Sequence, residues 1–198
     1  MLRGMKFTRA ELDSFRDATL PDLIGPGLRL LFVGINPGLW TAAVQAHFGR
    51  RGNRFYPALL RAGIIDHSID PSDGFAADDL AYLVGRGVGI TNLVARATAR
   101  ADELTAAELI AGAERLTRLV AERQPQVVAV LGITAYRMGF RRPRATAGRQ
   151  PERLGPAELW VVPNPSGLNA YSTLASLGAA YREVALAAGI ELADPPPA

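Results

Sequence analysis

Leu30-Leu31-Phe32-Val33-Gly34-Ile35-Asn36-Pro37-Gly38-Leu39 is an apolar run that stops at a glycine and then presents an asparagine, a proline and a second glycine. A short continuous apolar run ended by Gly and Pro reads as a strand buried on both faces, followed by a tight turn at its carboxyl end. In open α/β sheets, ligands sit at that end. Asn36 is then a polar side chain on rigid backbone at the sheet's edge. Pro37 fixes φ and removes a donor, while Gly34 and Gly38 allow a ligand close to the main chain. Asn-Pro-Gly is also ordinary turn chemistry, so this stretch alone leaves a plain strand-to-loop turn open.

The chain around it has 198 residues, enough for one domain with a proper core. Hydrophobic content of 48% and charged content of 21% are those of a globular protein. The formal charge is +3 and the pI about 9.7, and most of the basic residues are arginine, which forks phosphate and stacks on rings. That balance leans weakly toward an anionic partner such as nucleic acid. There is no cysteine, which excludes disulfides and thiolate-held zinc or iron–sulfur clusters. With His47 and His67 the only imidazoles, no metal and no cofactor are expected. No apolar run approaches the ~20 residues that span a bilayer, and no signal peptide is visible. The expectation is a cytoplasmic monomer without a membrane partner.

Along the chain, Thr8-Arg9-Ala10-Glu11 fits a capping box and predicts a helix from Arg9 to Ala18. Thr41 to Gly52 reads as a polar loop. Asn53 caps a helix over 54–62 that Gly63 closes, and a further helix ends at Gly85. Val88 to Val94 reads as a second strand with a polar break at Thr91-Asn92. Thr105 and Glu108 form a second capping box, opening an amphipathic helix to Arg123. A third strand runs from Val127 to Gly132, a short helix from Thr134 to Phe140, an arginine-rich loop from Phe140 to Arg149, a fourth strand from Leu159 to Pro163, and a last helix from Ser172 to Ala188. Helices alternating with apolar strands predict a three-layer αβα sandwich around a mainly parallel sheet of four to five strands. The reading is one domain over 1–198, with a helical extension over 1–25 and a flexible tail over 193–198.

The first and last core strands both end in an Asn-Pro turn with glycine nearby, Asn36-Pro37-Gly38 and Asn164-Pro165-Ser166-Gly167. Parallel strands project these turns from one edge of the sheet, where two rigid loops flank one crevice. Gly34-Ile35-Asn36-Pro37-Gly38, Asn53-Arg54-Phe55 and Asn164-Pro165-Ser166-Gly167-Leu168-Asn169 resemble the ordered motifs of the mismatch-specific uracil/thymine DNA glycosylases, a branch of the uracil-DNA glycosylase superfamily. The resemblance runs from about Gly27 to Ala188.

It implies an enzyme that flips a base out of the duplex and hydrolyses its N-glycosidic bond with a water. Asn36 occupies the place of the asparagine that holds this water. Phe48 matches the aromatic on which the flipped pyrimidine stacks, with a buried loop anchor as the alternative. Main-chain groups around Ile35 and Phe48 are expected to bind the uracil edge. Leu168 resembles the apolar wedge that fills the vacated stack, with Gly167 and Asn169 facing the widowed guanine; a plain helix staple is the alternative. Ala170 stands where some members carry arginine, which leaves that site's extra contacts in doubt. Asn92 either touches the flipped nucleotide or caps a strand end. Thr41, Asn53, Asn164 and Ser166 are further pocket-edge candidates, and Arg141, Arg142, Arg144 and Arg149 either grip phosphates or form a solvated loop. His47 lacks a visible orienting partner and reads as a loop residue.

The expected function is a monofunctional DNA glycosylase of base excision repair, removing uracil mispaired with guanine, with thymine and damaged pyrimidines as further candidates. Its partner is double-stranded DNA holding a mismatched or damaged base. No lysine sits near either motif to form a Schiff base. A catalytically idle lesion reader and a hydrolase of free nucleosides or nucleotides are the alternatives.

Overall fold

In the computed structural model, which describes residues 6–167 and 172–194, Leu30–Gly34 forms strand β1 at the heart of a five-stranded sheet. The other strands are β2 (Val88–Asn92), β3 (Val127–Leu131), β4 (Gly148–Leu154) and β5 (Ala157–Val162). They lie in the order β2-β1-β3-β5-β4, all parallel except β4, which runs antiparallel along β5. The helices are α1 (Arg9–Asp13), α2 (Leu39–Val44), α3 (Phe55–Ala62), α4 (Ala77–Gly85), α5 (Ala106–Arg123), α6 (Ile133–Gly139) and α7 (Leu174–Ala187).

Every residue of β1 is buried because helices cover both faces of the sheet. Successive side chains point to opposite faces, so β1 divides its apolar residues between two cores. Leu30 and Phe32 pack with Phe55 and Leu59 of α3, Leu83 of α4 and Leu177 and Tyr181 of α7. Leu31 and Val33 pack with Leu116 and Val120 of α5 and Tyr136 of α6. Each fully buried side chain of this size contributes about 1.5–3 kcal/mol of transfer free energy, which explains why this strand, with no polar face, specifies the middle of the sheet. The chain leaves β1 for β2 on one side and later returns to β3 on the other. The crevice outside the carboxyl ends of β1 and β3 is therefore the place where such sheets bind ligands.

The fold agrees with the α/β sandwich expected, and three local readings are corrected. The segment read as a loop from Thr41 to Gly52 begins inside α2, whose buried Leu39, Ala42 and Val44 are too few for a helical period to be read. Trp40 pins that helix by donating from Nε1 to Ser72 O at 3.0 Å and by meeting the Phe7 ring edge-on at 5.1 Å. Helix α1 ends at Asp13 rather than Ala18, and Asp17 sits in the left-handed region at φ 60°, where a helix cannot continue. Strand β4 begins at the last two residues of the expected arginine-rich loop and continues through residues to which the sequence assigns no element. It is an edge strand whose buried residues are only Gln150 and Leu154, its other positions being exposed or half-buried and largely charged, as edges that must not pair with other chains commonly are. The tail expected over 193–198 lies mostly outside the described residues.

Candidate active site

Gly34, the last residue of β1, stands opposite Asn92, the last residue of β2. A Cβ on Gly34 would fall 2.4 Å from Asn92 Oδ1 and 3.5 Å from the Phe48 ring tip. Only glycine lets the Asn92 side chain and the Phe48 ring come together over the end of β1. Beyond the sheet, the chain after β2 keeps pace with the first motif. Leu93 N donates to Gly34 O at 2.9 Å, Val94 N to Ile35 O at 2.9 Å and Thr98 N to Pro37 O at 3.1 Å.

That pairing fixes Asn36. Its Nδ2 donates to Thr98 Oγ1 at 2.7 Å and to the carbonyls of Arg96 and Pro37, each at 3.1 Å. Two carbonyls can only accept, and Thr98 spends its one hydroxyl proton on Arg100 O at 2.7 Å, so it too must accept from Asn36. The amide is thereby polarised one way round: nitrogen against the protein, Oδ1 without a donor among the described residues. Arg96 is itself clamped, with Nε on Glu108 Oε1 at 2.5 Å and Nη2 on Oε2 at 3.2 Å. The Arg96 guanidinium, aided by Thr105 at the N-cap of α5, holds the Glu108 carboxyl at a pKa of about 2.

Phe48 adopts φ 56°, a conformation costly for a bulky residue and often found where a site is pre-formed. Its ring stacks on Phe55 at 4.0 Å between centroids and 24° between planes, half-buried. One face of the ring is anchored on the core, and the ring also lines the cavity. His47 beside it is buried, with Nε2 3.0 Å from Pro21 O, and burial lowers its pKa. A neutral ring facing a carbonyl is a poor general acid.

The second Asn-Pro turn arrives from β5. Asn164 Oδ1 accepts from Ser166 N at 2.9 Å, and Asn53 Oδ1 accepts in the same manner from Phe55 N at 2.9 Å. Arg54 ties the two segments together. Its backbone N donates to Pro165 O at 3.0 Å, Nη2 donates to Ser166 O at 2.7 Å, and Nη1 donates to Ser172 O.

A cavity of about 460 Å³ opens among these groups, large enough for a nucleoside. It is lined by Asn36 and by Gly34, Ile35, Pro37, Gly38, Thr41, Phe48, Asn53, Asn92, Asn164 and Ser166, so every expected catalytic and pocket residue meets at one place. Gly167 is exposed, and a Cβ there would lie 2.9 Å from Gly52 O. Leu168 and Asn169, the rest of the expected wedge, and Ala170 lie outside the described residues. Of the arginine-rich segment, Arg142 pairs with Glu152 and Arg149 with Glu158, each at 2.8 Å, away from this cavity.

Sequence reasoning missed Thr98 and the cavity's far lip, Arg100 to Asp102, and placed Arg54 within a motif without giving it a role. The available signal for Thr98 and the lip was the stretch after β2, Ala95-Arg96-Ala97-Thr98-Ala99-Arg100-Ala101-Asp102, in which alanine alternates with polar residues as the chain leaves the same sheet edge as Asn36. Nothing in the sequence pointed to Arg54's contacts.

A mainly parallel sheet with a nucleoside-sized cleft at its switch point, flanked by helices, defines an α/β protein of the doubly covered kind. The uracil DNA glycosylase superfamily model matches residues 21–187. The chain belongs to that superfamily, and this membership supports a DNA glycosylase function. A similar solved structure is the solution NMR structure of a candidate uracil DNA glycosylase from Methanosarcina acetivorans. It is 16% identical, with a TM-score of 0.54 over 85% of this chain and 98% of that one, a likeness of fold.

Proposed function

We propose that this chain is a monofunctional DNA glycosylase that hydrolyses the N-glycosidic bond of uracil mispaired with guanine, with thymine and damaged pyrimidines as further candidate substrates. The observation that carries the reading is the Asn36 amide, held by three acceptors on its nitrogen so that its oxygen is the end left for a water beside a stacked aromatic.

In this reading the flipped base stacks on Phe48, and the Asn92 side chain meets its polar edge. The Asn36 oxygen accepts a hydrogen bond from the water and orients it toward the sugar's anomeric carbon. The bond from that carbon to the base nitrogen breaks, its electron pair leaves with the base as an anion, and the water oxygen bonds the carbon of an oxocarbenium-like sugar. The water's proton passes to solvent, since an amide cannot keep it at neutral pH. Catalysis then rests on positioning and on pre-set dipoles, which fits a slow enzyme. Leu168 is the proposed wedge, with Gly167 and Asn169 toward the widowed guanine.

The test is incubation with G:U, G:T, A:U and single-stranded uracil oligonucleotides, reading abasic sites by alkaline cleavage, with Asn36→Ala alongside. Release from G:U that Asn36→Ala abolishes, with duplex affinity kept, is expected. Tight duplex binding without release would make the chain a lesion reader, and release from free deoxyuridine but not from duplex would make it a nucleoside hydrolase.

A further inference from the structure

On the cavity wall, the turn from Arg50 to Asn53 carries donors with nothing to donate to. Asn53 N donates to Arg50 O at 3.0 Å and closes the turn. Asn53 Oδ1 is taken by Phe55 N, so the amide's donor end, Nδ2, is the one left over, and it has no acceptor among the described residues. The exposed Arg50 guanidinium has no hydrogen bond or ion pair among them either, although the residue lines the cavity.

The other charges of the lining cancel. Arg100 Nη2 lies 2.6 Å from Asp102 Oδ2, and His47 is held toward its neutral form by burial. Arg51, next in the chain, reaches to Asp73 at 3.5 Å. Arg50 is therefore the uncompensated cation of the cavity, and its backbone is firmly placed. A Cβ on the preceding Gly49 would lie 2.9 Å from Ala46 O, Pro71 O and a Val44 methyl, and Phe48 before it is stacked on Phe55.

We propose that Arg50 and Asn53 form a phosphodiester-binding site for the linkage bordering the nucleotide whose base enters the cavity. A phosphodiester is an anion that only accepts, matched to a guanidinium fork and an amide NH₂. Contacts of this kind set position on the strand without reading the base. The site thus adds to the capture of any flipped nucleotide, while discrimination stays deeper in the pocket. The inference rests on the base-excision reading and adds to it the group that holds the backbone.

The experiment measures affinity for a G:U duplex in an Asn36→Ala background, so that no turnover intervenes, over a range of salt. Arg50→Gln is expected to weaken binding about tenfold at moderate salt, as loss of a charged hydrogen bond does. It should also flatten the slope of log affinity against log salt by ~0.9, one phosphate's worth. Asn53→Asp keeps an oxygen for Phe55 N and so keeps the turn, but faces the phosphate with an anion and should weaken binding further. A neutral methylphosphonate at the linkage 5′ or 3′ of the uracil should cost the Arg50 form the same factor and the Arg50→Gln form nothing more. An unchanged salt slope in Arg50→Gln, or losses that multiply at both linkages, would overturn the assignment. If the unmutated chain releases no base from any duplex, the base-excision reading falls while these binding arms still decide Arg50. If release is normal and Arg50→Gln binds as the parent does, only the phosphodiester site falls.

Discussion

Replacing Thr98 with valine keeps the shape of the side chain and removes both of its side-chain hydrogen bonds. Thr98 is 1% exposed, accepts from Asn36 Nδ2 at 2.7 Å and donates to Arg100 O at 2.7 Å. The first loss removes one of three acceptors that hold the Asn36 amide in one orientation. At a net ~0.5–1.5 kcal/mol for a hydrogen bond, the ratio of oriented to flipped amide should fall by a factor of about 2–13, and the rate of base release should fall by up to that factor. The second loss leaves the carbonyl of the exposed Arg100 with Glu103 N, at 3.2 Å, as its remaining donor, and costs a net ~0.5–1.5 kcal/mol, felt as stability rather than rate. For a chain of this size that is a fall in Tm of about 1–6 °C. The assay is single-turnover release of uracil from a G:U duplex at 25 °C, with thermal unfolding measured in parallel. Thr98→Ser, which keeps the hydroxyl, should recover most of the rate. Release by Thr98→Val at the parental rate would refute the claim that this hydroxyl sets the Asn36 amide, whatever happened to Tm.

The remaining predictions probe the floor, the stack and the clamp. Gly34→Ala places a methyl 2.4 Å from Asn92 Oδ1 and should cost ~1–3 kcal/mol of stability along with base release; in denaturant titrations, Asn92→Ala in the same chain should recover part of the stability and none of the activity. Phe48→Ala should weaken capture of the flipped base by the ~1–3 kcal/mol that a stacked ring supplies, read as a rise in KM for a G:U duplex, and an unchanged KM would return Phe48 to a purely structural anchor. Glu108 has its pKa lowered from 4.5 to about 2 by the Arg96 guanidinium and the Thr105 cap, so its contribution is complete above pH 4.5 and is lost as pH falls toward about 2. Acid unfolding of Glu108→Gln should accordingly be flatter across that window than that of the parent chain.

The parts of the fold that were legible are those where burial left one reading. β1, β3 and the body of β5 are apolar runs of five or so residues ended by glycine or proline, and α5 announces itself by a capping box and a buried stripe from Leu109 to Val120. β4 was not legible because an edge strand shows water to most of its side chains, so its sequence resembles a loop. α2 was not legible because six residues span less than two helical turns, and its stability comes from Trp40 and Ser72, which are 32 residues apart.

The site divides along the same line. Asn36, Asn53, Asn92 and Asn164 could be named because each sits at or just beyond the end of a strand or just before a helix, where local chemistry marks the position, whereas Phe48, in the loop after α2, was named through the family resemblance alone. What those residues can do is set by groups remote in the chain. Thr98 is 62 residues from the amide it polarises, and Arg54 bonds carbonyls 112 and 118 residues away. A sequence states that an asparagine stands at the sheet's edge. Only the meeting of β1 with the segment after β2 states which end of its amide is already occupied by the protein. That difference separates a turn residue from a candidate water-holder, which is why Thr98→Val probes the mechanism more directly than any change to the motif itself.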